Sequence, residues 1–155
     1  MKPITVLLVD DHMLFREGVA SILHRAGERF QIMGEASDGV QAQTLALKFK
    51  PDIILMDVQM PVCGGLQAAR ALAPQLPDTK IVMLTVSDRD EDLFEAIKAG
   101  AKGYLLKTAA SAQEITTALE NVAAGQVILT PTMATKLAAE FATMAREHKS
   151  EPAAR

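Results

Sequence analysis

Five residues, each at the end of an apolar run, have types that could do chemistry together. Asp10 and Asp11 end "ITVLLVDDH", and Asp57 ends the apolar start of "IILMDVQMPVCGGL". Thr85 stands in "IVMLTVSD" and Lys107 closes the run in "GYLLKT". Like charges held together raise carboxylate pKa values, so three carboxylates in one place favour a bound divalent cation. Mg²⁺ suits such a site, because it takes one or two carboxylates, waters and phosphate oxygens. A carboxylate beside a metal can also serve as a nucleophile in phosphoryl transfer. Lys107 and the cation would balance charge on an incoming phosphoryl group, and the Thr85 hydroxyl would donate to one of its oxygens. Singly, each residue has a plainer reading. An Asp after a strand is most often a turn or cap residue, a Thr at a strand end reflects β propensity, and a strand-exit lysine is usually solvated. Only a fold that gathers all five makes them a site.

The chain alternates two periodicities in a way that would gather them. Five apolar, branched-rich runs read as strands: Ile4 to Val9, Gln31 to Glu35, Ile53 to Met56, Ile81 to Thr85 and Gly103 to Leu106. Between them come helical stripes: Leu14, Val19, Ile22 and Leu23; Val40, Leu45 and Leu47; Leu66, Ala69 and Leu72; and Leu93, Phe94 and Ile97. Pro51 ends the second helix, Pro74 and Pro77 stop the third, and the glycine of "KAG" caps the fourth. Ser111 and Glu114 form a capping box for a fifth, whose stripe of Ile115, Leu119 and Val122 leads to Gly125. Strands apolar at almost every position must be covered on both faces. Strict β-α alternation then predicts a parallel sheet with helices on both sides. In such sheets ligands bind at the carboxyl ends of the strands, where all five residues fall.

Composition narrows the function classes. A chain of 155 residues fits one domain with a short appendage. With 49% apolar and 23% charged residues it reads as globular, and a net charge of −3 leaves no nucleic-acid footprint. Lys98, Lys102 and Lys107 are scattered rather than patched. No apolar stretch is long enough to cross a membrane. "MKPITV" runs straight into a strand, so no signal peptide is expected. The single cysteine, Cys63, fits a reducing cytoplasm and reads as a small apolar loop residue rather than a redox centre.

Taken in order, "LLVDDH", "DIILMDVQMP", "LT" and "GYLLKT" resemble the receiver domain of a bacterial two-component response regulator, over about residues 4 to 125. The resemblance implies a flavodoxin-like (CheY-like) three-layer α/β/α fold with a five-stranded parallel sheet of order 2-1-3-4-5. It makes Asp57 the phosphoacceptor, charged by a sensor histidine kinase. Asp11, Asp57 and the backbone carbonyl of Gln59 become ligands of Mg²⁺, for which Mn²⁺ can substitute, and Asp10 supports them through water. Thr85 and Lys107 would contact the phosphoryl group, and Tyr104 would swing inward when Thr85 moves, a population shift between two arrangements. Such a domain is a signalling phosphoacceptor rather than an enzyme on an external substrate. Four positions depart from the family pattern: Val86 narrows access, Thr108 replaces a common Pro, Gly64 replaces a common Asp or Asn cap, and the Gln59 side chain bears on how fast water removes the phosphoryl group.

After Gly125 the text changes. Thr130-Pro131 starts a sixth helix, with Met133, Leu137, Phe141 and Met144 on one stripe, and Pro152 ends it in a polar tail. "GYLLK", "AAGQVILTP" and this helix resemble the NarL/LuxR (FixJ) subfamily. The expected organisation is a receiver over 1–127 and a helical linker and tail over 128–155, leading towards a helix-turn-helix domain absent from this chain. Promoter DNA would be reached only through that domain, with homodimerisation on phosphorylation and no membrane contact. The alternatives are a stand-alone receiver acting by protein contact, a metal-dependent phosphatase using Asp57, and a flavin-binding domain. The last lacks a Ser/Thr-rich phosphate loop after the first strand.

Overall fold

A computed structural model describes residues 2–150. Its five strands are Ile4–Val9 (β1), Phe30–Ala36 (β2), Ile53–Met56 (β3), Lys80–Thr85 (β4) and Gly103–Leu106 (β5). They form one parallel sheet in the order β2-β1-β3-β4-β5. Six α-helices accompany it among the described residues: Met13–Arg25 (α1), Gly39–Phe49 (α2), Gly65–Leu72 (α3), Asp90–Lys98 (α4), Ala112–Ala123 (α5) and Pro131–Ser150 (α6). Strand limits fall within a residue of those expected, and the expected order is the observed one.

The nearly unbroken apolar character of β1, β3 and β4 has a direct cause. Along β1, Val6 and Leu8 join the cluster shared with α1 and α5, while Leu7 and Val9 join the one shared with α2, α3 and α4. β3 and β4 alternate in the same way, through Ile53 and Leu55 against Ile54 and Met56, and Val82 and Leu84 against Ile81 and Met83. Side chains alternate across a strand, so a sheet covered on both faces needs an apolar residue at every position.

Helix starts follow their local chemistry. The Asp38 side chain accepts the Gln41 N–H at 2.8 Å to cap α2, and both halves of the Ser111–Glu114 capping box are present at α5. Asp90, Glu91 and Asp92 crowd the first turn of α4, where the positive end of the helix dipole favours them. Lys50, left-handed at φ 47°, ends α2 just before Pro51, and Gly100 at φ 103° follows α4.

Some expected core positions are corrected. Leu14 in α1 is 84% exposed, and Val40 and Leu47 in α2 are also exposed. Leu14 lies in the first turn of α1, beyond the end of β1. α2 instead buries Ala42 and Ala46, small residues that allow close approach to the sheet and α3. On α6, Met133 is buried and Leu137 half-buried, whereas Phe141 and Met144 are exposed. The expected end at Pro152 lies outside the described residues.

One feature of the sheet has no counterpart in the sequence reading. Ile128 bridges in parallel to Gly103 at the outer edge of β5. Tyr104 N–H donates to the Ile128 carbonyl at 3.1 Å, and Ile128 N–H donates to the Lys102 carbonyl at 2.9 Å. This bridge delivers the chain to α6, which packs on α4 and is tied to it by Lys136 Nζ–Asp90 Oδ1 at 2.9 Å.

Candidate functional site

The sheet ladder itself carries the key residues to one place. Just past β1, Asp10 N–H donates to the Ala36 carbonyl of β2, and Asp57 N–H donates to the Val9 carbonyl, both at 3.0 Å. At the other side Lys107 N–H donates to the Thr85 carbonyl at 2.8 Å. Asp10 and Asp57 are buried, and Lys107 Nζ reaches both, 2.7 Å from Asp10 Oδ2 and 3.0 Å from Asp57 Oδ2. Burial of the ammonium works to lower its pKa, but hydrogen bonds and charge from Asp10 and Asp57 outweigh this and raise it. The Nζ also lies 4.4 Å from the Phe15 ring centroid, a cation–π contact.

One ammonium does not neutralise three carboxylates. Ligand atoms of Asp10, Asp11, His12 and Asp57 all lie within 4.8 Å of one another. Carboxylate oxygens are the donors a hard divalent cation prefers, so this cluster fits a bound metal. His12 is the N-cap of α1, and its ring joins the cluster. Its Nδ1 is 3.3 Å from Asp10 Oδ1 and 3.4 Å from Asp11 Oδ1, and its N–H donates to Asp10 Oδ1 at 2.9 Å.

A cavity of about 350 Å³ opens beside the cluster, lined by Asp11, His12, Asp57, Gln59 and Val86 among others. Gln59 N–H makes a long 3.4 Å contact with Asp57 Oδ1. Val86 is 58% exposed at this opening. Thr85, by contrast, is fully buried and does not line the cavity; its Oγ1 accepts the Ser87 N–H at 3.3 Å. Tyr104 points inward, fully buried, and its hydroxyl donates to the Ser87 carbonyl at 3.0 Å. Burial above all, with the negative charge of Asp92, Asp57 and Asp88, pushes its pKa up to about 12 against the lowering effect of the Ser87 hydrogen bond.

The β3–α3 loop fixes the position of Asp57. A Cβ on Gly65 would lie 1.9 Å from the Asp57 carbonyl oxygen, so α3 starts pressed onto the strand exit. Gly64 caps α3 without a side chain to donate to, and Gly65 N–H donates to the Val58 carbonyl at 2.8 Å. Val62 is left-handed at φ 68°, a strained conformation for a β-branched residue. Cys63 is buried, and a Cβ on Gly39 would meet its Sγ at 2.6 Å, which is a packing role. The Lys107–Thr108 peptide is trans. Sequence reading missed the His12 ring, Phe15 and Ser87. The signals available were the His directly after two aspartates, an aromatic in the first turn of α1, and a Ser two residues after Thr85.

A family model described as "Response regulator receiver domain" matches residues 6–120. The uncharacterized transcriptional regulatory protein YxjL of Bacillus subtilis is 43% identical over 149 residues, covering 96% of this chain and 67% of that protein. The nitrate/nitrite response regulator NarL of Escherichia coli is 39% identical, covering 94% and 68%. Other relatives are covered to 62%, so the chain spans about two thirds of the length of the curated relatives it matches. Among solved structures, a LuxR-family response regulator from an Aurantimonas species aligns with TM-score 0.81 at 30% identity, covering 90% of this chain and 99% of that one. The receiver domain of the putative regulator NarL from Mycobacterium tuberculosis aligns with TM-score 0.76 at 35% identity, covering 81% and 100%. From its fold and from these likenesses, this chain belongs to the response regulator receiver domains of the NarL/LuxR type.

Proposed function

We propose that Asp57 accepts a phosphoryl group from the phosphohistidine of a sensor histidine kinase, in a Mg²⁺-dependent reaction that switches the domain's conformation. The observation that carries the reading is the state of the Asp57 carboxylate. Oδ2 is held by Lys107 at 3.0 Å, while Oδ1 has, among the described residues, just the 3.4 Å hydrogen bond from Gln59, beside the cavity. Oδ1 is thus an anionic oxygen with little to restrain its attack. It forms the new bond to phosphorus as the P–N bond breaks, and that bond's electron pair returns to the kinase's histidine ring. Lys107, kept protonated by its raised pKa, passes from carboxylate to phosphoryl oxygen without losing a partner. The Thr85 hydroxyl, buried outside the cavity and accepting from Ser87, would donate to the same group only after turning towards it, which is the movement of the switch. Asp11, Asp57 and the Gln59 carbonyl, with Asp10 in support, would hold Mg²⁺ or Mn²⁺, which would supply charge to neutralise the phosphoryl oxygens.

Residues 1–127 act as the receiver in this reading, and 128–155 as a linker. Relatives named as transcriptional regulators support a role in the control of transcription; in this reading the domain acts in the cytoplasm, through a DNA-binding domain outside this sequence and by homodimerisation on phosphorylation. The chemical step is tested by incubation with Mg²⁺ and acetyl phosphate followed by intact mass measurement. Wild-type protein should gain one phosphoryl group and Asp57→Ala none. A gain that survives the substitution sinks the assignment of Asp57.

A further inference from the structure

Thr85 and Tyr104 lie on neighbouring strands, and both meet the backbone of Ser87. The Ser87 N–H donates to Thr85 Oγ1 at 3.3 Å, and the Ser87 carbonyl accepts from the Tyr104 hydroxyl at 3.0 Å. A backbone segment between a strand and a helix holds such an acceptor in place only if something fixes the segment itself. Here the fixing group is the Ser87 side chain. It is buried, donates to Asp92 Oδ2, and accepts the Arg89 N–H at 3.4 Å.

Asp92 lies in the first turn of α4, where the helix dipole stabilises its carboxylate. It therefore links the loop to a rigid element rather than to another loop. α4 in turn holds α6 through Asp90 and Lys136, and Leu93 and Met133 share a buried cluster with Tyr104. A change in Thr85 can thus reach Tyr104, α4 and α6 through one hydroxyl and one carboxylate.

We propose that Asp92 is a positioning residue for Tyr104. By accepting the Ser87 hydroxyl proton it fixes the carbonyl that holds the Tyr104 hydroxyl, and it ties the first turn of α4 to the state of Thr85. The role in signalling rests on the phosphoacceptor reading, whereas the positioning of Tyr104 is testable without it. A merely local role at the start of α4 would change melting without changing the environment of Tyr104.

The chain holds one Tyr and no Trp, so tyrosine emission reports Tyr104 alone. The test uses the full chain with Asp92→Ala and Asp92→Asn, at a temperature where circular dichroism shows all three proteins folded. Acrylamide quenching of the emission is read first, then the emission change with Mg²⁺ and acetyl phosphate, with phosphoryl gain followed by mass. Loss of a hydrogen bond to a carboxylate shifts a loop equilibrium by about tenfold or more. Asp92→Ala should therefore be more strongly quenched than wild type. It should gain one phosphoryl group to the wild-type extent, yet lose the emission response. Asp92→Asn keeps an oxygen that accepts from Ser87 and should retain both signatures. Wild-type quenching and response in the Ala variant would overturn the proposal, as would equal loss in Ala and Asn, or failure of the Ala variant to take up phosphoryl when wild type does. If wild type itself gains none, the Asp57 reading fails, and the quenching comparison alone decides the positioning role.

Discussion

Tyr104 is the residue at which environment changes chemistry most plainly. Its ordinary pKa of 10.0 rises to about 12, because burial and nearby carboxylates disfavour the phenolate. Between those values the unfolded chain has lost its proton while the folded one keeps it. Stability from this group is therefore complete below pH 10 and is lost as pH rises towards 12, by about 3 kcal/mol in all. Absorbance titration of the phenolate should give a folded midpoint near 12, with denaturant stability falling from pH 10 upward. A midpoint at the ordinary tyrosine value would mean an exposed ring. At this scale the sequence is unevenly legible. The meeting of Asp10, Asp57 and Lys107 can be read from it, because parallel strands align the backbone at their ends. The parts of His12, Phe15 and Ser87 cannot, because each depends on where one side chain points as the chain leaves a strand.

Elements are more legible than residues, since periodicity follows from which faces are covered. All five strands and the Ser111 capping box stand where the pattern puts them. The exceptions are instructive. α2 buries alanines rather than Val40 and Leu47, because apolar periodicity cannot tell a large residue facing water from a small one facing the core. The bridge from Ile128 to β5 is a single residue long, too short to have a period. Close approach is equally hidden, and Gly65 is the sharpest case. With its Cβ 1.9 Å from the Asp57 carbonyl oxygen, Gly65→Ala must displace backbone. It should cost roughly 3 kcal/mol or more. Gly18, in α1 with nothing within 4 Å of its Cβ, is the control: Gly18→Ala should stabilise by about 0.5–1 kcal/mol. Urea denaturation of both variants checks this, and equal effects would refute the close contact.

For the whole molecule, the acidic edge sets a relation between stability and metal. Asp10, Asp11 and Asp57 repel one another in the folded state, and Lys107 pairs with only two of them. A cation that binds the fold and not the unfolded chain stabilises by mass action, by about 2.7 kcal/mol at a hundredfold excess over its dissociation constant. Millimolar Mg²⁺ should therefore raise the melting temperature, and EDTA should reverse the gain. Asp11→Asn should melt no lower than wild type without metal, since one repulsive charge is gone, and should gain little from Mg²⁺. An Asn variant that gains as much as wild type would count against Asp11 as a ligand.

The order in which the chain is made gives the Lys107 contacts a further meaning. The two aspartates that Lys107 holds lie at positions 10 and 57, and it reaches them from the end of the last strand of the sheet. During synthesis the three aspartates are made before the lysine that pairs with two of them, and before β5 can dock on β4. A ribosome-bound or prematurely ended chain that stops short of β5 carries the acceptor aspartate without the charge that balances it. In the phosphoacceptor reading, such a fragment lacks the ammonium that passes to the phosphoryl oxygens, so it should take up phosphoryl more slowly than the finished domain.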